Sequence, residues 1–450
     1  MQHDMTKGSI LPVILRFTMP LFFGNIFQQF YYMADTVIVG RCLGASALAA
    51  VGATSTVSFL LLGFAMGLAT GFAVLTAQRF GAGDGEGVGI SVASGVLLTI
   101  LFSAVLTAAG LLIVPGLLHL MKTPPDILAD SLKYMLILCR GLTASMFYNL
   151  FSAFLRSVGN SRAPLFFLVL SSCLNIFLDF FFIVRLGMGV EGAALATVAA
   201  QGVSALLCLL YILFFVRVLV PAPGQWRFHS EAAKHQLHMG VPMALQFSVT
   251  AAGTIVMQAA INLFGSTAVA AFTAAWRIQN VLTQGMIAMG QTMASFCGQN
   301  FGKKDFGRIQ AGVRTAVRLE VFYSIAACAV VILFLRPIMG LFFSSGADLE
   351  ALMPWAMTYT VESAVCFIPL SFIFIFRNAM QGCSYSFLPL MGGIVEMVSR
   401  ALCAIAGMYF HSYKLSAGCD AAAWITAGLC TLLAYRWMIG RLTAGITRES

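Results

Sequence analysis

Asp35 and Asp179 are the residues of this chain best placed to do chemistry. Each stands inside a long apolar run: PLFFGNIFQQFYYMADTVIVG from Pro20 to Gly40, and SSCLNIFLDFFFIV around Asp179. A bare carboxylate in hydrocarbon costs about 2.5–3.5 kcal/mol even on a lenient insertion scale, so such a residue faces a wet cavity, finds a partner or carries a proton. Asn175 precedes Asp179 by four residues and shares its helical face. Thr197, in GAALATVAAQ, lies near the middle of the next apolar run. Two carboxylates, an amide oxygen and a hydroxyl make an oxygen-rich set. Oxygen ligands suit a hard cation such as Na+, and carboxylates suit protons. Burial and mutual repulsion both oppose charging the two acids together. The bland alternative is structural, with each acid bonded to neighbouring amides.

The elements that must position these groups are membrane helices. The chain has 450 residues, of which 60% are hydrophobic and 10% charged. No soluble globular core hides that much apolar side chain. The apolar runs are about 20 residues long and lack the alternation of barrel strands. The fold class is therefore an all-α polytopic membrane protein. Twelve spans are expected: 12–38, 47–77, 88–118, 128–154, 163–184 and 188–216, then 238–263, 267–297, 312–336, 351–377, 386–410 and 419–439. A six-helix bundle over 1–216 is expected to be joined by a cytoplasmic connector, 217–236, to a second six-helix bundle over 237–450. Of the 26 basic residues, seventeen fall in one set of end segments and six in the other. The positive-inside rule then puts both termini in the cytoplasm, and the first apolar segment reads as a retained helix rather than a cleaved leader. The net charge of +9 reflects this loop bias, not nucleic-acid binding. Eleven Cys, with no CxxC pair, read as small hydrophobes. A bridge between Cys42 and Cys419 has no spacing argument behind it.

The chain also repeats itself. LGASALAAVGAT from Leu43 matches FGSTAVAAFTAA from Phe264, and AQRFGAGD ending at Asp84 matches GQNFGKKD ending at Asp305. Both pairs are 221 residues apart; SVGNS near Gly159 matches QGCS near Gly382. Two halves with an even number of spans insert the same way up, which predicts a pseudo-two-fold axis along the membrane normal. On this alignment Asp35 meets Met257, and Asn175 to Asp179 meet Arg400 to Ala404. The carboxylates are kept only in the first half.

At these residues the chain resembles the multidrug and toxic compound extrusion (MATE) family of bacterial efflux transporters, DinF-like branch. PLFFGNIFQQFYYMADTVIVGRCLGASALAAVGA, the paired QRFGAGD and QNFGKKD turns, LRSVGNSRAP, and NIFLDFFFI followed by GVEGAALATVAAQ carry the resemblance over nearly the whole chain. It implies two six-helix bundles and antiport of organic cations against Na+ or H+. It also implies no cofactor beyond the coupling ion. The implied cation site is Asp35, Asn175, Asp179 and Thr197, with Gln28 and Asn149 as polar neighbours. The acids that another branch of the family carries in its second half fall near Thr250 and Leu370 here, and are missing.

Glu396 and Arg400, at i and i+4, are expected to pair. Glu362, Tyr31 and Met257 are candidates for the wall of a substrate cavity; Tyr32, Phe27 and Phe151 are weaker ones. Arg140 and Arg277 are expected as buried pairing groups. GAGDGEGVG at Gly81 lacks a dinucleotide-binding spacing, and His235 with His238 lack further zinc ligands. The functional expectation is a secondary antiporter acting as a monomer in the plasma membrane, with small organic cations and lipid as its partners. Two alternatives stand beside it. One is a lipid-linked oligosaccharide flippase, which would want a more cationic cavity. The other is an intramembrane aspartyl protease using Asp35 and Asp84.

Overall fold

The computed structural model describes residues 4–121, 123–340 and 346–449, the side chains of 346–348 and 445–449 excepted. Lys122 and the Arg448 side chain, both counted in the charge bias, lie outside the described residues. In the first half the helices are α1 (Ile10–Leu43), α2 (Ala45–Gly81), α3 (Gly85–Leu120), α4 (Pro125–Arg140), α5 (Leu142–Ser157), α6 (Arg162–Asp179) and α7 (Val190–Phe215). In the second they are α8 (Ser230–Asn262), α9 (Gly265–Gly302), α10 (Phe306–Met339), α11 (Gly346–Val365), α12 (Phe367–Gly382), α13 (Phe387–Tyr409), the short α14 (Tyr413–Ala417) and α15 (Cys419–Glu449). Nine described helices are long and apolar enough to cross a membrane. The α11–α12 pair, bent by 48° at Cys366, makes a tenth. The α4–α5 pair, interrupted at Gly141, and α9 bring the long helical segments to the expected twelve.

The helices overrun the expected spans at most ends. At two of these ends a capping residue sets the start of the helix. Asp84 starts α3 by accepting the Gly87 N–H at 2.8 Å, and Asp305 starts α10 by accepting the Arg308 N–H at 2.8 Å. The repeated FGAGD and FGKKD turns are thus a repeated N-cap. The stretch read as a connector is helical from Ser230 onward. Only 216–229 is left between α7 and α8, with two short 3-10 turns.

Backbone conformation records the duplication more sharply than side chains do. Positive φ angles occur at Gly44 and Gly265, Gly83 and Lys304, Gly159 and Ser384, and Gly187 and His411. These pairs lie 221, 221, 225 and 224 residues apart. The breaks at Gly141 and Cys366 lie 225 apart. Three of the second-half positions are not glycine, so the turn geometry has outlived the residue that makes it easiest.

The chain clusters into two compact units, Met1–Lys7 with Met19–Phe247, and Gly8–Thr18 with Ser248–Ser450. Both α1 and α8 are therefore shared. In the first unit α8 lies on a small-residue stripe of α2. A Cβ at Gly67 would come 2.5 Å from Ala244 Cα, and one at Gly71 would come 2.3 Å from Gly240 Cα. Without a hydrophobic drive in lipid, such backbone approach is what holds membrane helices together. In the second unit the start of α1 is tied to α9 by a 2.8 Å hydrogen bond between the Thr18 and Thr292 hydroxyls.

Candidate functional site

One apolar cluster in the first unit sets the geometry around the two acids. Ile38 and Val39 of α1, Tyr134 of α4, Ile183 just beyond α6, and Val190, Ala193 and Ala194 of α7 pack together. Asp35 lies one helical turn before Ile38, Asp179 one turn before Ile183, and Thr197 one turn after Ala193. The packing of these apolar residues thus brings three polar groups to one level of the bundle. Farther down, Gly24 of α1 closes on Leu165 of α6, where a Cβ would meet Leu165 Cδ1 at 3.1 Å.

Asp35 and Asp179 interact directly. Asn175 and Asp179 have no exposed surface, and Asp35 is partly buried. Yet both Asp179 oxygens, Oδ1 of Asp35 and both polar side-chain atoms of Asn175 are buried with no hydrogen-bond partner among the described residues. Five such atoms lie on three side chains, with Asn175 one helical turn from Asp179. An unsatisfied buried polar atom costs about 1–3 kcal/mol, and native interiors hold few of them. Four of the five are acceptor oxygens, and the fifth is the Asn175 Nδ2 donor, which bonds to neither acid. The structural alternative, acids satisfied by neighbouring amides, does not describe these contacts.

Thr197 donates to the Ala193 carbonyl at 3.1 Å, and its oxygen is also within reach of the Tyr31 hydroxyl. Tyr31 lies close to both acids, as does Tyr134. Tyr134 was not singled out in the sequence, although the repeat places it opposite Tyr359. Gln28 bonds to the Tyr32 hydroxyl at 3.1 Å and Asn149 to the Ser145 carbonyl at 2.8 Å, each on its own helix, so neither bonds to the acid pair. Directly after Asp179 the backbone leaves α-helical winding. Phe180–Arg185 forms a π-helical turn, with the Leu186 N–H bonded to the Phe181 carbonyl. Such underwound turns concentrate at functional sites. No sequence signal announced this one.

The second unit carries a different solution at the corresponding place. Arg400, aligned with Asn175, is bonded to Glu396 at 2.9 Å and to Asp420 at 3.0 Å, and Tyr359 donates to Asp420 at 2.9 Å. All three charged groups are buried. The Glu396–Arg400 pair is as expected; Asp420 and Tyr359 were not foreseen. A guanidinium here pairs with two buried carboxylates.

Other expectations need correction. Met257, proposed for a cavity wall, is 2% exposed and packs inside the apolar core of the second unit. Phe151 is likewise buried in the core of the first unit. Arg140 and Arg277 are exposed, not buried pairing groups. Asp84 is held by its cap and by Arg79 at 2.9 Å, which leaves the protease reading without its second acid. Glu362 does line a cavity, of about 710 Å3, with Lys414 and Cys403. Glu320 of α10 went unnoticed: it is 3% exposed, and its Oε2 has no hydrogen-bond partner among the described residues.

Comparison with known proteins agrees with this architecture. The MatE family model matches residues 20–181 and 242–405, one stretch in each half. The probable multidrug resistance protein YpnP of Bacillus subtilis (strain 168) is 31% identical over 302 residues, covering 67% of each chain. The DNA damage-inducible protein F of Escherichia coli (strain K12) is 32% identical over 197 residues, 43% of this chain and 42% of that one, in keeping with the DinF-like branch. A MATE crystal structure in complex with MaL6 superposes with a TM-score of 0.91 at 24% identity, covering 98% of this chain and 99% of that one, a likeness of fold. The chain belongs to the MatE family, and it is a multi-pass membrane transporter rather than an enzyme.

Proposed function

We propose that the protein is a secondary antiporter that exports small organic cations in exchange for H+ or Na+ taken at Asp35 and Asp179. The observation that carries this reading is the cluster of five unpartnered polar atoms on Asp35, Asn175 and Asp179. A coupling ion binding there neutralises the acids and gives the unpartnered oxygens of Asp35, Asn175 and Asp179 a positive partner. Thr197 adds a hydroxyl oxygen, and Tyr31 and Tyr134 flank the pair. Releasing the ion to the other side of the membrane restores the charged state, so the cluster is stable in only one of its two forms at a time. Glu362 is the proposed contact for cationic cargo. The protein works as a monomer in the plasma membrane, with both termini and the 217–236 segment on the cytoplasmic side of two six-helix halves, 1–216 and 237–450.

A one-for-one exchange of monovalent cations moves no net charge, so the drive is the chemical gradient of the coupling ion, about 1.4 kcal/mol per tenfold. A 100-fold ion gradient then sustains a cargo gradient of up to about 100-fold. The test uses purified protein in sealed vesicles. Uptake of a fluorescent organic cation is followed under an imposed pH gradient, an imposed Na+ gradient, or neither. One of the two gradients should drive accumulation, and accumulation indifferent to both would overturn the reading.

A further inference from the structure

Two cysteines of the second unit meet beside the cavity lined by Glu362. The α13 and α15 helices are joined through α14, and Gly407 permits the close approach: a Cβ there would come 2.8 Å from the backbone nitrogen of Ser416. One turn earlier on α13, the Cys403 sulfur lies 3.2 Å from the carbonyl oxygen of Leu415. The sulfur of Cys419, the first residue of α15, lies 3.6 Å from that same oxygen. Two sulfurs that share one acceptor are neighbours, and these two thiols interact directly. They differ in access. Cys403 is partly exposed and forms part of the cavity wall, whereas Cys419 is fully buried behind it. Cys297 and Cys383 are another interacting pair, but neither has any exposed surface.

We propose that Cys403 and Cys419 are an oxidisable dithiol, closed to a disulfide by hydrogen peroxide or by a small disulfide reagent. With peroxide, the Cys403 thiol is oxidised to a sulfenic acid and releases one water. The Cys419 sulfur then attacks it, the S–S bond forms, and a second water leaves. With a disulfide reagent, Cys403 displaces one half as a thiol and Cys419 displaces the other from the mixed disulfide. In both routes the pair loses two electrons and two protons, and the oxidant takes them up. The roles are ordered by access: Cys403 attacks first and Cys419 resolves. The bond would tie the end of α13 to the start of α15 and fix the wall that faces Glu362, whose Oε2 lies 3.1 Å from the place a Gly418 Cβ would take.

The test uses the full-length protein in detergent, reduced and then exposed to hydrogen peroxide or to dipyridyl disulfide. Remaining thiols are blocked after denaturation, and peptides are identified by mass spectrometry. A Cys403–Cys419 linked peptide is expected in most molecules, with Cys297 and Cys383 still free to be blocked. In Cys419→Ser, Cys403 should carry a mixed pyridyl disulfide and no crosslink. In Cys403→Ser, Cys419 should remain unmodified until denaturation. A wild-type protein in which Cys403 is modified but unlinked, or in which Cys419 is blocked as a free thiol, overturns the proposal.

Discussion

Replacing Asp179 by Asn tests the acid cluster through two quantities that should move in opposite directions. The substitution keeps the shape of the side chain and removes its charge. Its new amide group supplies two donors where the structure has acceptors without donors: Asp35 Oδ1 and Asn175 Oδ1. Each buried polar atom that gains a partner recovers about 1–3 kcal/mol. The variant should therefore unfold at a higher temperature than the parent in detergent, by an amount equivalent to about 1–3 kcal/mol if the gain is a single bond. Transport should fail in the same protein. With one ion exchanged per cargo cation, an imposed 100-fold ion gradient is worth about 2.8 kcal/mol, an equilibrium cargo gradient of about 100-fold. Without the exchange, an imposed ion gradient should leave the cargo distributed equally across the vesicle membrane. Cargo fluorescence in sealed vesicles reads the gradient, and a thermal melt of the same preparation reads the stability. A variant that still builds a tenfold or larger gradient would refute the coupling role. A variant that loses transport and also melts earlier would show Asp179 to be structural.

Other outcomes follow from the same structure. Arg400→Met leaves Glu396 and Asp420 buried without their cation, so it should destabilise by about 3–5 kcal/mol in a thermal melt, and Arg400→Lys should lose less. Gly141→Ala would place a Cβ 2.2 Å from Val198 Cγ2, beside Thr197 on α7. It should cost about 1–3 kcal/mol by overpacking and slow vesicle transport. Asp84→Ala and Asp305→Ala each remove one N-cap and should each cost about 1 kcal/mol. They cap different helices in different units, so the double variant should show the sum. Glu362→Gln should raise the cargo concentration needed for half-maximal efflux while the imposed ion gradient still drives transport.

The amino-acid sequence alone settled the solvent, the element type and the duplication. Long apolar runs can satisfy their backbone in lipid only as helices, and matched turn motifs 221 residues apart reveal two copies. It also singled out Asp35, Asn175, Asp179 and Thr197, because charge inside hydrocarbon is too costly to be incidental. What it left open were matters of direction. Whether Met257 points at a cavity or a core, and whether Arg140 is covered, depend on which face each helix presents, and a helix that is apolar all round gives no periodic signal for that. Tyr134, Asp420 and Glu320 acquire meaning only from neighbours on other helices. The π-helical turn after Asp179 has no signature in FFFIVR, and within it Ile183 packs against α1, α4 and α7. That two acids meet with unpartnered oxygens, while Arg400 stands between two acids at the corresponding place in the second half, was decided by tertiary structure. Only there do side chains far apart in the chain come close enough for one charge to satisfy or deprive another.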